Sequence, residues 1–320
     1  MENPTTPEVK IDPRQRIQAD TSELRQIIRQ NRPNVARTTV ATYLSVLKNL
    51  YYSVHSPEDK INVEWFRNQE EVLKAVEKYP VRSRKTFLSA VLVINNGRFS
   101  DKILNQVKED NATLNELDGS NVKSEKQEEN WLEYDEVKEV WNKFYNVVKH
   151  LLNSRSTITR RGDLNDLSDF MLLSLTSGVF FPPRRSEWAV VKIKNYDTEK
   201  DNYVDAKNGV IVLNLYKTRS TYGPEKIILP KEFKIILKKY LAILPETQEY
   251  LIFDTHDKPT NNVKMAHRLN FLFDRKISTT MLRHIYASKR AEMIPALREM
   301  QEDAAKMGHS LQQHMDYIKV

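Results

Sequence analysis

Four short segments carry side chains that could break and rejoin a phosphodiester. In chain order they are PPRRSEW (182–188), YKTR (216–219), TMLRH (280–284) and MGHS (307–310), and Tyr317 lies eight residues after the last histidine. Attack of a phenol on phosphorus places extra negative charge on the non-bridging oxygens. Two guanidinium groups bind those oxygens in a fixed two-point geometry that an ammonium group does not match. Arg184 and Arg283 are suited to that role.

Three further side chains could supply the proton chemistry of such a reaction. A phenol has a pKa of about 10, so Tyr317 would benefit from a nearby base or a strong local cation. Lys217, on a predicted hairpin, could reach into the minor groove and protonate the departing 5′ oxygen as a general acid. His309 could donate to a phosphate oxygen or carry a proton. Because side chains supply the cations, we predict no metal and no other cofactor.

These side chains also have structural interpretations. Arg185 could replace Arg184, or either could form an ordinary ion pair. The lysine has two rivals on the same hairpin, Arg219 and Lys226. His309 could instead cap a helix or lie in the core.

The patterns around these segments predict the elements that position them. A helix over 163–178 precedes the first segment, with Asp163 or Asn165 as its cap, and a helical run over 133–152 comes before it. Strand-like runs over 209–216 and 226–229 are joined by a loop with glycine and proline, which predicts a β-hairpin. The pattern after it is helical to the end.

Two amphipathic helices are predicted in the N-terminal part. The first, over 38–54, has a threonine cap and an apolar stripe of Val40, Leu44, Leu47 and Tyr51. The second, over 81–97, has a stripe of Leu88, Val91, Leu92 and Asn95 and ends at Gly97.

Positive charge is concentrated around these two helices. No acidic residue occurs between Glu23 and Glu58, or between Glu77 and Asp101. One interpretation is a solvated helix surface; the other is a pair of helices that faces phosphate groups. On the second interpretation, the residues predicted to contact DNA are Arg37, Lys48, Arg82, Arg84, Lys85 and, on the hairpin, Arg219.

The composition excludes several classes of function. The 320 residues include no cysteine and only seven glycines, so there is no disulfide scaffold, cysteine metal site, cysteine nucleophile or glycine-rich nucleotide loop. No apolar run of about 18 residues occurs, and the polar N-terminus resembles neither a signal peptide nor a transit peptide. We expect an intracellular protein that does not contact a membrane. Its net charge of +7 suits a polyanionic partner.

The length predicts two domains. The acidic, polar segment 117–130 is typical of an exposed linker. We therefore predict a disordered tail over 1–14, a helical DNA-binding domain over 15–116, and a catalytic domain over 131–320.

Taken together, the four segments resemble the tyrosine recombinase (phage-integrase) family. Its catalytic domain carries an arginine in an R-x-S-E-like turn, a hairpin lysine, an H-x-L-R-H box, a G-H-S segment and a nucleophilic tyrosine. The resemblance covers 131–320 by motif and about 15–115 by texture. It implies the catalytic residues Arg184, Lys217, Arg283, His309 and Tyr317. It also implies the accessory residues Glu187, as the acid that accompanies Arg184, Thr280, and His284, the last as a buried, hydrogen-bonded structural residue.

The resemblance also implies a fold and a function. The fold is mainly α with a small β-hairpin or sheet in the catalytic domain, and the two domains form a C-shaped DNA clamp. The enzyme would cleave and rejoin double-stranded DNA through a 3′-phosphotyrosyl intermediate, with four copies of the chain on two sites. The PPRRSEW segment is similar to integrases of large DNA viruses, virophages and related mobile elements. The location would be the nucleus or cytoplasm of a host cell, or a nucleoid.

Two departures from the family pattern keep alternatives open. Thr280 stands where the box usually begins with histidine or lysine, and threonine can neither carry charge nor act as a base; His267 or His314 could fill the gap. The sequence stops three residues after Tyr317, where many relatives continue into a helix, so either protomers are linked differently or the chain is truncated. One alternative function is a type IB topoisomerase. The other is a DNA-binding protein of the same fold that has lost activity.

Overall fold

The structure, a computed structural model, describes residues 20–98, 100–119, 122–292, 295–308 and 310–311. The chain divides into two compact units between Val122 and Lys123. It is mostly helical with one small antiparallel sheet, which confirms the predicted fold class. No helix of the described residues is long and apolar enough to cross a membrane.

The described part of the first unit is helical. Its elements are α1 (Ser22–Asn31), α2 (Arg37–Tyr51), a 3-10 helix (Val63–Arg67), α3 (Gln69–Val76), α4 (Val81–Asn95) and α5 (Asp101–Gly119). One apolar core joins α1 to α4 with the start of α5. A half-buried amide adds a specific contact, because the side chain of Asn31 donates to the carbonyl oxygens of Val93 and Ile94 on α4, at 2.8 and 3.0 Å.

The apolar stripes predicted for α2 and α4 face this core. All four stripe residues of α2 are buried, as are three of α4, and Leu92 packs against the core at partial exposure. The end of α4 is also confirmed, since Asn96 adopts a left-handed conformation and Gly97 has a φ of +73°. The predicted threonine cap of α2 is wrong. The helix begins at Arg37, after Ala36, so the threonines lie inside its first turn.

The second unit combines eight helices of its described residues with three strands. The helices are α6 (Glu125–Asn130), α7 (Tyr134–Leu152), α8 (Arg161–Thr176), α9 (Arg219–Tyr222), α10 (Lys231–Ile243), α11 (Asn262–Phe273), α12 (Thr279–Glu292) and α13 (Pro295–Lys306), and a 3-10 helix spans Glu187–Val190. The strands β1 (Tyr203–Asp205), β2 (Val210–Leu213) and β3 (Glu225–Ile228) form an antiparallel sheet in the order β1-β2-β3. In its register Val212 lies opposite Tyr203 on one side and Lys226 on the other.

The core of the second unit is built around α8, whose last ten residues except Asp169 are buried. The predicted cap of this helix is wrong, because α8 begins at Arg161 and Asp163 lies in its first turn. An aspartate there is still favourable, because the N-terminal end of a helix attracts negative charge.

Three other elements differ from the sequence prediction. The strand β1 was not predicted in addition to the two strands of the hairpin, since it has only three residues and forms by pairing with β2. The segment 117–130 is largely helical: α5 runs to Gly119, and α6 begins with a capping box between Ser124 and Gln127. The acidic composition of this segment concealed that local signal. The third difference lies after the hairpin, where the sequence predicts a helical pattern to the end. A non-helical stretch separates α10, which ends at Ile243, from α11, which begins at Asn262.

Candidate active site

Three basic side chains that are far apart in the sequence line one cavity of the second unit. Arg184, Lys217 and Arg283 border a cavity of about 500 Å³, together with Glu187 and Glu225. The first segment supplies two cations, because Arg185 lines the cavity beside Arg184, and the hairpin and α12 supply one each. The structure therefore brings together four of the residues that the sequence predicted for the site.

Buried aromatic residues hold the segment that carries Arg184. Phe181 and Trp188 are buried at its two ends, and the ring of Phe181 meets that of Phe233 edge to face at 4.9 Å. Between these anchors Arg184 is half-buried, whereas Arg185 is exposed. The core thus fixes the backbone on either side of the two arginines.

A close backbone approach fixes the entry to this segment. Gly178 has a φ of +87°, and a Cβ atom there would lie 2.5 Å from the ring of Tyr286, so only glycine fits without a shift. The hydroxyl of Tyr134 donates a hydrogen bond to the carbonyl oxygen of Gly178, at 2.8 Å. Burial raises the pKa of Tyr134 to about 12, so this hydroxyl remains a donor even at the alkaline pH at which a free phenol ionises.

An acid from the hairpin binds the guanidinium group of Arg184. The Nη1 atom of Arg184 donates to Oε1 of Glu225 at 2.6 Å. The Cζ atom of Arg184 lies 5.6 Å from the centre of the Tyr216 ring. The Nε atom of Arg184 is buried and has no hydrogen-bond partner among the described residues, and the same holds for Oε2 of Glu187. The acid bonded to Arg184 is therefore Glu225, whereas the sequence pointed to Glu187.

The alternation of β3 directs Glu225 into the cavity. Glu225 and Ile227 line the cavity, while Lys226, between them, is exposed, as expected when successive strand residues face opposite sides. Lys217 follows β2 in the connecting loop and is exposed, and it lines the cavity as well. Neither rival of Lys217, Arg219 or Lys226, borders the cavity.

The arginine of the third segment lies on α12, which begins where the sequence predicted a helix start. Oγ of Ser278 accepts a hydrogen bond from the backbone N–H of Met281 at 3.2 Å, as an N-cap side chain does. Arg283 is exposed and borders the cavity; Thr280 and His284 do not. The expectation that His284 is buried is wrong, because its side chain is exposed on the same helix.

A buried amide links the two chain segments that carry Arg184 and Lys217. Asn202 is fully buried, and its Nδ2 donates to the carbonyl oxygens of Glu187 and Leu215, at 3.1 and 2.9 Å. Its Oδ1 accepts from the backbone N–H groups of Asn214 and Leu215, at 2.8 and 2.6 Å. One side chain therefore fixes the arginine turn against the hairpin.

The residues predicted to contact DNA in the first unit differ in their surroundings. Arg37 and Arg82 are exposed in the first turns of α2 and α4, and neither first turn contains an acid. Lys48 and Lys85 are half-buried on the same two helices.

Arg84 has an internal partner. Its Nε donates to both carboxylate oxygens of Asp110, at 3.0 and 3.1 Å, and the Asp110 side chain is 1% exposed. This hydrogen bond raises the pKa of Arg84. Arg84 is thus bound within the first unit, and its guanidinium is less available to a phosphate than that of Arg37.

Two of the five predicted catalytic residues, His309 and Tyr317, lie outside the described residues, as does His314. His267 is exposed on α11 and does not border the cavity. Among the described residues, no group of three histidine, aspartate or glutamate side chains could hold a metal ion.

Two residues of the site were missed in the sequence. Glu225 follows Gly223 and Pro224 at the end of the hairpin loop, and strict alternation along β3 could have placed it on the inner face of the strand. Asn202 precedes a strand that was not predicted, and no local pattern marks it as buried. Its role appears only when the two segments that it joins are seen together.

No family model and no curated protein matches the chain. Among solved structures, a crystal structure of XerA recombinase is similar, with 15% sequence identity, 94% of each chain covered and a TM-score of 0.35. This degree of similarity is too low to assign a function to the chain.

Proposed function

We propose that this protein is a DNA strand transferase of the tyrosine recombinase type. The observation that carries the proposal is the single cavity bordered by Arg184, Lys217 and Arg283, which come from three separate segments. These cations are the ones that attack of a tyrosine on a DNA phosphate requires, and the motifs of the sequence select the same residues.

The two arginines would bind the scissile phosphate. Their guanidinium groups donate to the non-bridging oxygens, where negative charge grows as phosphorus becomes five-coordinate. The Nε of Arg184 supports this assignment, since it is buried and has no acceptor within the part of the chain that the structure describes. A buried N–H group without an acceptor is unfavourable, and a phosphate oxygen would satisfy it.

Tyr317 would supply the nucleophile. Its phenol oxygen releases its proton to solvent and forms a bond to phosphorus while the bond between phosphorus and the 5′ oxygen breaks, which leaves a 3′-phosphotyrosyl link. Lys217 gives the 5′ oxygen its proton, and its exposed position at the rim of the cavity is compatible with reaching into a DNA groove. His309 would donate to a phosphate oxygen. A free 5′-hydroxyl reverses the reaction, so no nucleotide cofactor is consumed.

The partner would be double-stranded DNA, and four copies of the chain would act on two sites. Integration of a viral or other mobile genome is the role that the motifs favour. Exposed Arg37 and Arg82 on the first unit and Arg219 on the hairpin would contact backbone phosphates, which position a protein on DNA without specifying sequence.

A DNA suicide substrate, nicked next to the cleavage point, tests the proposal. Loss of the short nicked fragment prevents rejoining, so the covalent protein–DNA adduct accumulates and is seen as a slower band on a denaturing gel. We expect an adduct with the natural chain and none with Tyr317→Phe, which keeps the ring and removes the nucleophilic oxygen.

Each other outcome identifies an alternative. An unchanged adduct with Tyr317→Phe would refute the assignment of the nucleophile. No adduct with any DNA, despite salt-sensitive DNA binding, would indicate a binding protein of the same fold. An adduct together with rapid relaxation of a supercoiled plasmid, but no synapsis of two sites, would indicate a topoisomerase.

A further inference from the structure

The contact between Glu225 and Arg184 places a negative charge inside the cavity that would receive a phosphate. A carboxylate and a phosphate bind arginine through the same fork of N–H donors. Glu225 therefore either competes with the phosphate for Arg184 or holds the guanidinium group in position for it. The two cases predict opposite effects on the reaction.

The distribution of contacts on Arg184 favours the second case. Glu225 takes Nη1, at 2.6 Å, whereas Nε is buried and has no partner among the described residues. An arginine has five N–H donors, so one acid at Nη1 leaves donors for a second anion. If Glu225 competed with the phosphate, it would occupy the N–H donors that the phosphate needs. Among the described residues, Nε of Arg184 has no acceptor, so this donor stays available for a phosphate oxygen.

The surroundings of Glu225 also suit a fixed support. It lies on β3 opposite Leu213 of β2, so the sheet register fixes its backbone. The centre of the Tyr216 ring lies 5.6 Å from Cζ of Arg184, and the Tyr216 hydroxyl is itself fixed by a 2.6 Å hydrogen bond to the carbonyl oxygen of Gly223. The hairpin thus holds Arg184 at two points.

We infer that Glu225 is a positioning residue that orients Arg184 for the scissile phosphate and stays bound to it during the reaction. This inference rests on the proposed function. On this inference the hairpin has two roles. The loop carries Lys217, the proposed proton donor, and the second strand orients Arg184, one of the two arginines proposed to bind the phosphate.

The main experiment compares Glu225→Ala and Glu225→Gln with the natural chain in single-turnover cleavage of the suicide substrate. At saturating DNA we expect the alanine variant to be about 10- to 100-fold slower, because loss of orientation is costly in this range. The glutamine variant keeps an acceptor oxygen but loses the charge, so its rate should lie between the other two. Affinity for DNA should be unchanged or higher, since a negative charge near the phosphates is removed.

The matched control is Glu232→Gln, which removes the same charge from an exposed side chain of α10 that does not border the cavity. It should change DNA affinity to a similar small degree and leave the cleavage rate at saturation unaltered. Cleavage by Glu225→Ala that is as fast as in the natural chain, or faster, would overturn the inference and identify Glu225 as a competitor.

A second measurement separates this inference from the proposed function. The Nε–H proton of Arg184 can be followed by nitrogen NMR and assigned by its loss in Arg184→Lys. It should exchange with water faster in Glu225→Ala than in the natural chain, whereas Glu232→Gln leaves it unchanged. Absence of any adduct with the natural chain would refute the function alone; unaltered exchange in Glu225→Ala would refute the positioning role alone.

Discussion

The cations of the cavity are not equivalent. Arg184 is half-buried and bound by Glu225, whereas Lys217 and Arg283 are exposed. A half-buried guanidinium group that is held by an acid suits an oxygen whose position must not vary, because its orientation is set before the ligand arrives. An exposed lysine on a loop suits proton transfer to an atom that leaves, since the ammonium group can follow that atom.

Replacement of Lys217 by alanine tests its role as general acid. Cleavage of ordinary DNA should fall by about 10²- to 10⁴-fold, the usual contribution of such a group. A substrate with sulfur in place of the bridging 5′ oxygen should restore a rate close to that of the natural chain, because a thiolate leaves without a proton. Single-turnover kinetics on the two substrates measures this.

Arg219→Ala is the matched control for Lys217, since it removes a positive charge from the same loop but not from the cavity. It should weaken DNA binding and leave the preference between the two substrates unchanged. Equal slowing of Lys217→Ala on both substrates would show that the lysine does not protonate the leaving group.

At the scale of elements, the site depends on hydrogen bonds between segments that are distant in the sequence. Local structure alone does not bring these segments together. The arginine turn and the β2–β3 hairpin are separated in the chain by β1. Asn202 joins them with four hydrogen bonds from a fully buried side chain. A buried amide with all its partners is stabilising mainly because its removal leaves those partners unsatisfied.

We expect Asn202→Ala to lower the free energy of unfolding by about 2 to 4 kcal/mol, because backbone groups of both segments would lose their hydrogen-bond partner. Urea denaturation of the full chain measures this. The control is Asn208→Ala, an exposed turn residue whose side-chain amide donates to Asp205, three residues away, at 2.7 Å. It should cost less than about 1 kcal/mol. Equal losses in the two variants would contradict the tie that we assign to Asn202.

At the scale of the whole molecule, positive charge serves two purposes. Some of it is exposed and, on the proposed function, would contact DNA, and some forms ion pairs within the chain. Arg37 and Arg84 illustrate the difference: both belong to the acid-poor part of the first unit, yet Arg37 is exposed and Arg84 is bound to the buried carboxylate of Asp110. Net charge alone does not distinguish them.

Arg37→Ala and Arg84→Ala should therefore have different effects. The first should reduce the slope of log affinity for DNA against log salt by about one and leave stability within about 0.5 kcal/mol. The second should lower the free energy of unfolding by about 3 kcal/mol, because it leaves a buried carboxylate without its cation. Salt titration of DNA binding and urea denaturation measure the two effects. Equal stability of both variants would refute the internal role of Arg84.

The sequence by itself determined the helices with strong apolar periodicity, the hairpin and the residues of the cavity that belong to motifs. Such features depend on neighbours within a few residues, so α2, α4 and the β2–β3 hairpin could be predicted from local pattern. Arg184, Lys217 and Arg283 could be selected because their residue types and order match the proposed chemistry. Helix starts were predicted less well, since a cap depends on backbone geometry as well as on residue type.

Only the tertiary structure decided which acid accompanies Arg184, which buried amide joins the turn to the hairpin, and which basic side chains are already paired. Glu225, Asn202 and Asp110 each act on residues between 12 and 41 positions away. A hydrogen bond requires its two atoms to lie within about 3 Å, and no local pattern in the sequence encodes that proximity across separate segments. The residue types that the proposed chemistry needs can therefore be read from the sequence. The placement of Arg184, Lys217 and Arg283 around one cavity depends on the packing of the second unit's core.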